Sequence, residues 1–167
     1  MLTLSRQAAP VVAEAIGYGN VRFVEGAIEA LDEQGDGAEP LVPDASIDVV
    51  LSNCVLNLVN PSSRQRLLAN IRRVLAPGGR VAISDIVCDK PVPMHLQQDP
   101  DLWSGCISGA WQEDEFLADF RQLGLEQVSF ADRSEQPWRT VEGIEFRAVT
   151  LVGQLPGAPS GSGAGCC

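Results

Sequence analysis

The chain has 167 residues, 45% of them hydrophobic and 20% charged, a composition that suits one soluble domain with its own core. A formal net charge of −10 argues against a nucleic-acid backbone as partner, and no apolar run approaches the length of a membrane span. Five cysteines without regular spacing, and an amino terminus lacking a charged and then apolar leader, point to a cytoplasmic protein with reduced thiols and not to a secreted disulfide framework.

Residues 8–16 carry a helical pattern that Pro10 interrupts and Gly17-Tyr18-Gly19-Asn20 stops. Residues 21–24 predict a short strand, and residues 25–29 follow at its end, where a ligand could sit. Residues 34–44 are polar and rich in Gly and Pro, as expected of a surface loop. The apolar run 47–51 predicts a buried strand with a turn at Ser52 and Asn53, which places Cys54 at the carboxyl end of a strand. Open α/β sheets bind their ligands at such ends.

Asn60 reads as a helix cap with Pro61 in the tolerated first turn. Leu67, Leu68, Ile71, Val74 and Leu75 recur at helical spacing and predict a sheet-facing stripe, with Arg64, Arg66 and Arg72 toward water. Ala76-Pro77-Gly78-Gly79 ends that helix and residues 80–86 form the next strand. After a Pro-rich loop, Cys106 lies in a stretch of Gly, Ser and Trp, the composition of a lid or short helix. Residues 113–123 predict a second amphipathic helix that stops at Gly124, and residues 128–130 and 145–152 read as strands. Strands alternating with helices imply an α/β sheet with parallel members. The chain divides into a domain over residues 1–153 and a disordered Gly/Ser/Pro tail over residues 154–167, which ends in Cys166-Cys167.

Cys54 and Cys106 lie on either side of a strand-helix-strand unit and can present two soft ligands to one atom. The competing use of each is as a small buried hydrophobe, the usual fate of a free cysteine.

Three stretches carry a family resemblance. Residues 48–58 with their Ser52-Asn53-Cys54 and Asn57-Leu58, then Arg73-Val74-Leu75-Ala76-Pro77-Gly78-Gly79-Arg80 and Ser84-Asp85-Ile86, look like the second half of a class I S-adenosylmethionine methyltransferase. Asp99-Pro100-Asp101-Leu102-Trp103, leading to Gly105-Cys106 and Gly109-Ala110, narrows the likeness to the arsenite methyltransferases. The resemblance runs from about residue 1 to 152. It implies an α/β fold in which Cys54 and Cys106 bind trivalent arsenic, a soft centre that favours sulfur, while a small-molecule thiol or another cysteine supplies a third ligand. The arsenic lone pair is then the nucleophile toward the sulfonium methyl group, so no general base is required and placement of the reactants dominates. Thiols are only partly ionised at neutral pH, so a lowered pKa would help.

The same resemblance implies S-adenosylmethionine as cofactor. Ile28 and Glu29 map to its adenine, and Asn53 and Cys54 to its methionine portion. Glu29 has the alternative of a solvated carboxylate. Against the family pattern, the sequence lacks the first two strands, the Gly-rich loop and the acidic strand end that precede this region. The expected fold is therefore an incomplete Rossmann-like methyltransferase sheet with an exposed edge. A separate chain supplying the missing amino-terminal half joins arsenite and a thiol among the implied partners.

Several residues stay open at this level. Cys166-Cys167 either captures arsenic on a mobile arm or is an unselected end, and Cys88 has no assigned role. His95, the single histidine, excludes a multi-histidine metal centre and reads as a loop-surface residue. Asp85 is either a catalytic carboxylate or a structural strand end, and Trp103 and Trp111 either wall the arsenic site or pack in the core. Three functions follow: an arsenite methyltransferase, a thiol-based arsenite-binding module without catalysis, and a degenerate structural domain.

Overall fold

The computed structural model describes residues 24–34 and 39–158, with Val11, Glu14, Ala15, Gly17, Tyr18 and residues 20–22 before them. The apolar run after Ser46 forms strand β1 (Ile47–Asn53), and helix α1 (Arg64–Val74) returns the chain to strand β2 (Leu75–Cys88). β1 and β2 pair in parallel, from Val49 opposite Arg80 to Asn53 opposite Ser84. This is the strand-helix-strand crossover that the periodicity predicts.

Asn60 caps as expected, its side chain accepting from the Ser62 N–H at 3.0 Å with Pro61 next, but what it opens is a 3-10 turn (Pro61–Ser63) that leads into α1. Leu67, Leu68, Ile71 and Val74 are buried on its sheet side. Arg66 and Arg72 are exposed, but Arg64 is half-buried, against the expectation that it faces water. Its planar cation lies over the Trp111 ring, 3.8 Å from the centroid, a surface that a guanidinium covers well.

Beyond β2 come two short helices, α2 (Met94–Gln97) and α3 (Pro100–Ser104), then the two-residue strand β3 (Trp111–Gln112). Helix α4 (Glu113–Gln122) follows, with three acidic residues in its first turn to suit the helix dipole. It stops at Gly124, whose φ of +77° is a conformation natural to glycine. Strands β4 (Glu126–Arg133), β5 (Arg139–Val141) and β6 (Ile144–Gln154) complete the chain. The sheet order is β1-β2-β6-β4, with β3 beside the end of β2 and β5 beside β6. β6 runs antiparallel to both β2 and β4, so the sheet is mixed.

The main core lies between this sheet and helices α1 and α4, with Phe116, Phe120 and Leu151 fully buried. A second cluster under the segment after β2 gathers Ile86, Cys88, Leu96, Leu102, Cys106, Ile107 and Phe146.

Two further expectations fail. Of the strand expected over residues 21–24, Val21, Arg22 and Val24 are exposed and carry no strand, and Phe23 lies outside the described residues. A strand there needs a neighbour to satisfy its backbone groups, and no strand among the described residues precedes β1. The tail also begins later than expected. β6 extends through Gln154, Leu155 is buried, its N–H donates to the Gly79 carbonyl at 2.7 Å, and Gly78 N–H donates to the Pro156 carbonyl at 3.0 Å. Of the helix expected over residues 8–16, Val11, Glu14 and Ala15 are helical and the rest lies outside the described residues.

The free edge expected of an incomplete sheet is visible at β1. Among the described residues this strand pairs only with β2, and Leu51 is 75% exposed.

Candidate functional site

Cys54 follows the last residue of β1. Its N–H still donates to the Ser84 carbonyl at 2.9 Å, so the ladder reaches it, yet its φ is +53°. Cys106 follows α3, with its N–H donating to the Trp103 carbonyl at 3.0 Å and a φ of +59°. Left-handed backbone at a residue with a Cβ costs roughly 1–2 kcal/mol, and such outliers concentrate at functional positions.

The Cys106 segment is fixed from beneath. Asp99 caps α3 by accepting from the N–H groups of Asp101 and Leu102 at 2.9 and 3.1 Å. The buried Ser108 hydroxyl donates to the Leu96 carbonyl at 2.7 Å, tying the end of the loop back to α2. Gly109 packs so closely on the turn after Cys54 that a Cβ there would meet the Asn57 carbonyl oxygen at 1.9 Å.

Asp85 on β2 lies between the two thiol-bearing segments. It is 2% exposed; its Oδ2 accepts from the N–H groups of Leu56 and Asn57 at 3.0 and 3.3 Å, and its Oδ1 from Ile86 N–H at 2.9 Å. One ligand atom each from Cys54, Asp85 and Cys106 lie within 4.8 Å of one another. Cys54 is open to solvent while Cys106 is buried, and the Cys106 thiol donates to the Cys54 carbonyl at 3.5 Å.

Burial first, and then the Asp85 carboxylate, push the Cys54 thiol above its usual range. The same two causes, joined by Cys54, push Cys106 up to about 11. Desolvation also raises Asp85, against the pull of its backbone donors. The lowered pKa that would help these thiols is not found, because a buried carboxylate adjoins the pair and no cation among the described residues offsets it. Both sulfurs are neutral thiols at neutral pH.

Residues 2–130 match the model of the methyltransferase domain family. This chain belongs to that family. An arsenite methyltransferase from Halobacterium salinarum is 46% identical over 94 residues, 56% of this chain and 24% of that protein. The human arsenite methyltransferase is 38% identical over 101 residues, 59% of this chain and 25% of the human one. The chain thus spans about a quarter of the length of these curated relatives. A solved arsenic(III) S-adenosylmethionine methyltransferase from Chlamydomonas reinhardtii superposes with a TM-score of 0.68 at 30% identity, over 89% of this chain and 49% of that one. The YcgJ protein of Bacillus subtilis, 16% identical with a TM-score of 0.62 over 91% of this chain and 78% of its own, shares the fold alone. The methyltransferase domain accordingly has the incomplete Rossmann-like sheet that its motifs imply.

The remaining candidates are scattered. Ile28 and Glu29 lie in a 3-10 turn, Ile28–Ala30, packed against α1, where the Glu29 carbonyl accepts from the Asn70 side chain at 3.1 Å. Asn53 is exposed at the end of β1 beside Cys54. Trp111 is 2% exposed and packs on Phe116, with Nε1 donating to Asp119 at 3.0 Å, so its place is the core. Trp103 is half-buried in α3. His95 is exposed, with Nε2 2.9 Å from Glu142. Cys88 is buried, donates its thiol proton to the Trp111 carbonyl at 3.1 Å, and is pushed up to about 12 by desolvation and nearby carboxylates. Cys166 and Cys167 lie outside the described residues. Sequence reasoning missed Asn57 and left Asp85 undecided. The signal for Asn57 was a polar residue inside the apolar turn 55–58.

Proposed function

We propose that this methyltransferase domain holds trivalent arsenic between Cys54 and Cys106 as part of an arsenite methyltransferase. The observation that carries the reading is the approach of these two sulfurs and Asp85 within 4.8 Å at the carboxyl end of β1. The identity to arsenite methyltransferases supports it.

Capture fits neutral thiols. Arsenite reaches a protein as an uncharged trihydroxide; each new sulfur–arsenic bond replaces an arsenic–oxygen bond, and the thiol proton leaves with the hydroxide as water. Two such exchanges change no net charge, so a pair of thiols with raised pKa values beside a carboxylate is no obstacle to the equilibrium. A small-molecule thiol completes the coordination, in keeping with the preference of a soft centre for sulfur. The arsenic lone pair stays free, and the two sulfurs set its direction.

The residues present fit two portions of S-adenosylmethionine. Asn53, exposed beside Cys54, suits the methionine portion, and the half-buried apolar Ile28 suits the adenine, with Glu29 next to it. When bound, this cofactor supplies an electrophilic methyl group. A separate chain that supplies the first half of the sheet would add its strands to the open edge of β1 and complete the cofactor cradle.

Incubation with arsenite, glutathione and S-adenosylmethionine, followed by chromatography of the arsenic species, tests the activity. Methylated arsenic that disappears in Cys54→Ser and Cys106→Ser supports it. Tight arsenite binding without any methylated product reduces the role to holding the metalloid, and no binding removes the proposed site.

A further inference from the structure

Asn57 is 1% exposed and lies three residues beyond Cys54. Its Nδ2 donates to the Ile86 carbonyl at 2.7 Å and to the Cys106 carbonyl at 3.1 Å, so one amide group joins the turn after Cys54, strand β2 and the backbone of the second cysteine. Its own N–H, with that of Leu56, is held by the Asp85 carboxylate. Its carbonyl oxygen lies against Gly109, where no side chain fits.

This arrangement is poorly explained by stability. The Oδ1 of Asn57 is buried without a hydrogen-bond partner among the described residues, Asp85 is a desolvated carboxylate, and the two segments they join each hold a cysteine in left-handed backbone. Buried polar atoms are normally satisfied, and unsatisfied ones in native proteins call for an explanation. Every one of these liabilities bears on the same geometric quantity, the separation and direction of two sulfurs carried on different loops.

We propose that Asn57, anchored by Asp85, is a positioning residue that sets the spacing of Cys54 and Cys106 for simultaneous capture of one thiophilic atom. It rests on the reading of that pair as an arsenic site. Asn57 touches neither sulfur's substrate in this scheme; it acts through the two backbones. Its loss therefore impairs two-thiol chelation far more than the reactivity of either thiol alone.

The test uses the full chain and phenylarsine oxide, a trivalent arsenical with two exchangeable positions, with iodoacetamide as a reagent for single thiols. In Asn57→Ala and in Asn57→Asp, which keeps the side-chain shape but removes the amide donor, the arsenical affinity falls by about tenfold or more. Iodoacetamide labelling of Cys54 stays within about twofold of the wild type, and the circular dichroism spectrum is retained. In the wild type, amide hydrogen exchange at Leu56 and Asn57 slows when the arsenical binds, because coupling between two sites is reciprocal. Wild-type affinity in folded Asn57→Asp, or unchanged exchange at both amides, overturns the proposal. If the variants unfold, the wild-type exchange measurement decides alone. Failure of the wild type to bind the arsenical defeats the arsenic reading itself, a result distinct from bound arsenical with indifferent Asn57.

Discussion

The Arg64 guanidinium lies flat enough on Trp111 to bring its central carbon 3.8 Å from the ring centroid, and its Nη2 donates to the Gly109 carbonyl at 2.6 Å. One side chain thereby ties α1 to the end of the Cys106 segment and to the core aromatic that begins β3. Arg64→Ala should cost about 2 kcal/mol through the lost cation–π and hydrogen-bond contacts, read as a lower urea midpoint. Arg64→Lys should recover less than half of that, because an ammonium cannot both stack on the ring and keep the directional bond. Full recovery by lysine would show that charge alone matters at this position.

Phe116 is fully buried and packs edge-on to Phe120 at 5.2 Å and on Trp111 at 5.6 Å. Phe116→Ala should cost roughly 3–5 kcal/mol, a large fraction of the roughly 5–15 kcal/mol of a typical domain, and leave a species with broadened near-ultraviolet signals. Phe116→Leu should retain cooperative unfolding. A cooperative transition in the alanine variant at the wild-type midpoint would contradict the packing described.

Serine substitution separates the two thiols. Cys54→Ser and Cys106→Ser should each weaken arsenite binding by at least about tenfold, since each removes one of two soft donors acting on the same atom. Cys88→Ser should leave that affinity unchanged, because its thiol is buried in the second cluster and donates to the Trp111 carbonyl. Calorimetric titration of the three variants distinguishes them, and an effect of Cys88→Ser equal to the others would move the site.

Reactivity should rise steeply with pH. With Cys106 at about 11, only about one thiol in a thousand is ionised at pH 8, so its alkylation should accelerate about tenfold per pH unit up to that point. Stability moves in the opposite direction. The folded values of about 11 for Cys106 and about 12 for Cys88 stand above the ordinary 9.0, so the folded state keeps its protons where the unfolded chain releases them. Their contribution is complete below pH 9 and is lost as pH rises through 11 and 12. A urea midpoint that climbs between pH 8.5 and about pH 10.5 would reverse this sign.

Leu51 is 75% exposed on a strand with an open edge. Leu51→Lys should change unfolding free energy by no more than about 0.5 kcal/mol while reducing self-association in light scattering, as charged edge residues do. A large loss of stability would mean that the edge is covered.

Most of the helices and strands are visible in the chain's periodicity because each buries one face. The stripe from Leu67 to Val74 has the period of a helix on a sheet, and Gly124 marks where α4 must stop. Arg64 was misread because the same stripe says nothing of which outward residue meets an aromatic ring from a distant segment. Residues 21–24 have the composition of a strand, but Val21, Arg22 and Val24 have no pairing strand among the described residues, and strand formation is a property of pairs. Leu155 was assigned to the tail on composition, yet it fills the base of the core beside Gly79.

For the candidate site, sequence by itself determined which two cysteines carry family-like flanks and that the first follows a strand end. Tertiary structure alone decided their relation. Cys54 and Cys106 stand 52 positions apart, and only the crossing of β2 brings Asp85 between their segments and lets Asn57 join them. It also decided their charge, since desolvation and an adjacent carboxylate depend on what surrounds a thiol in space and leave no mark on its neighbours in the chain.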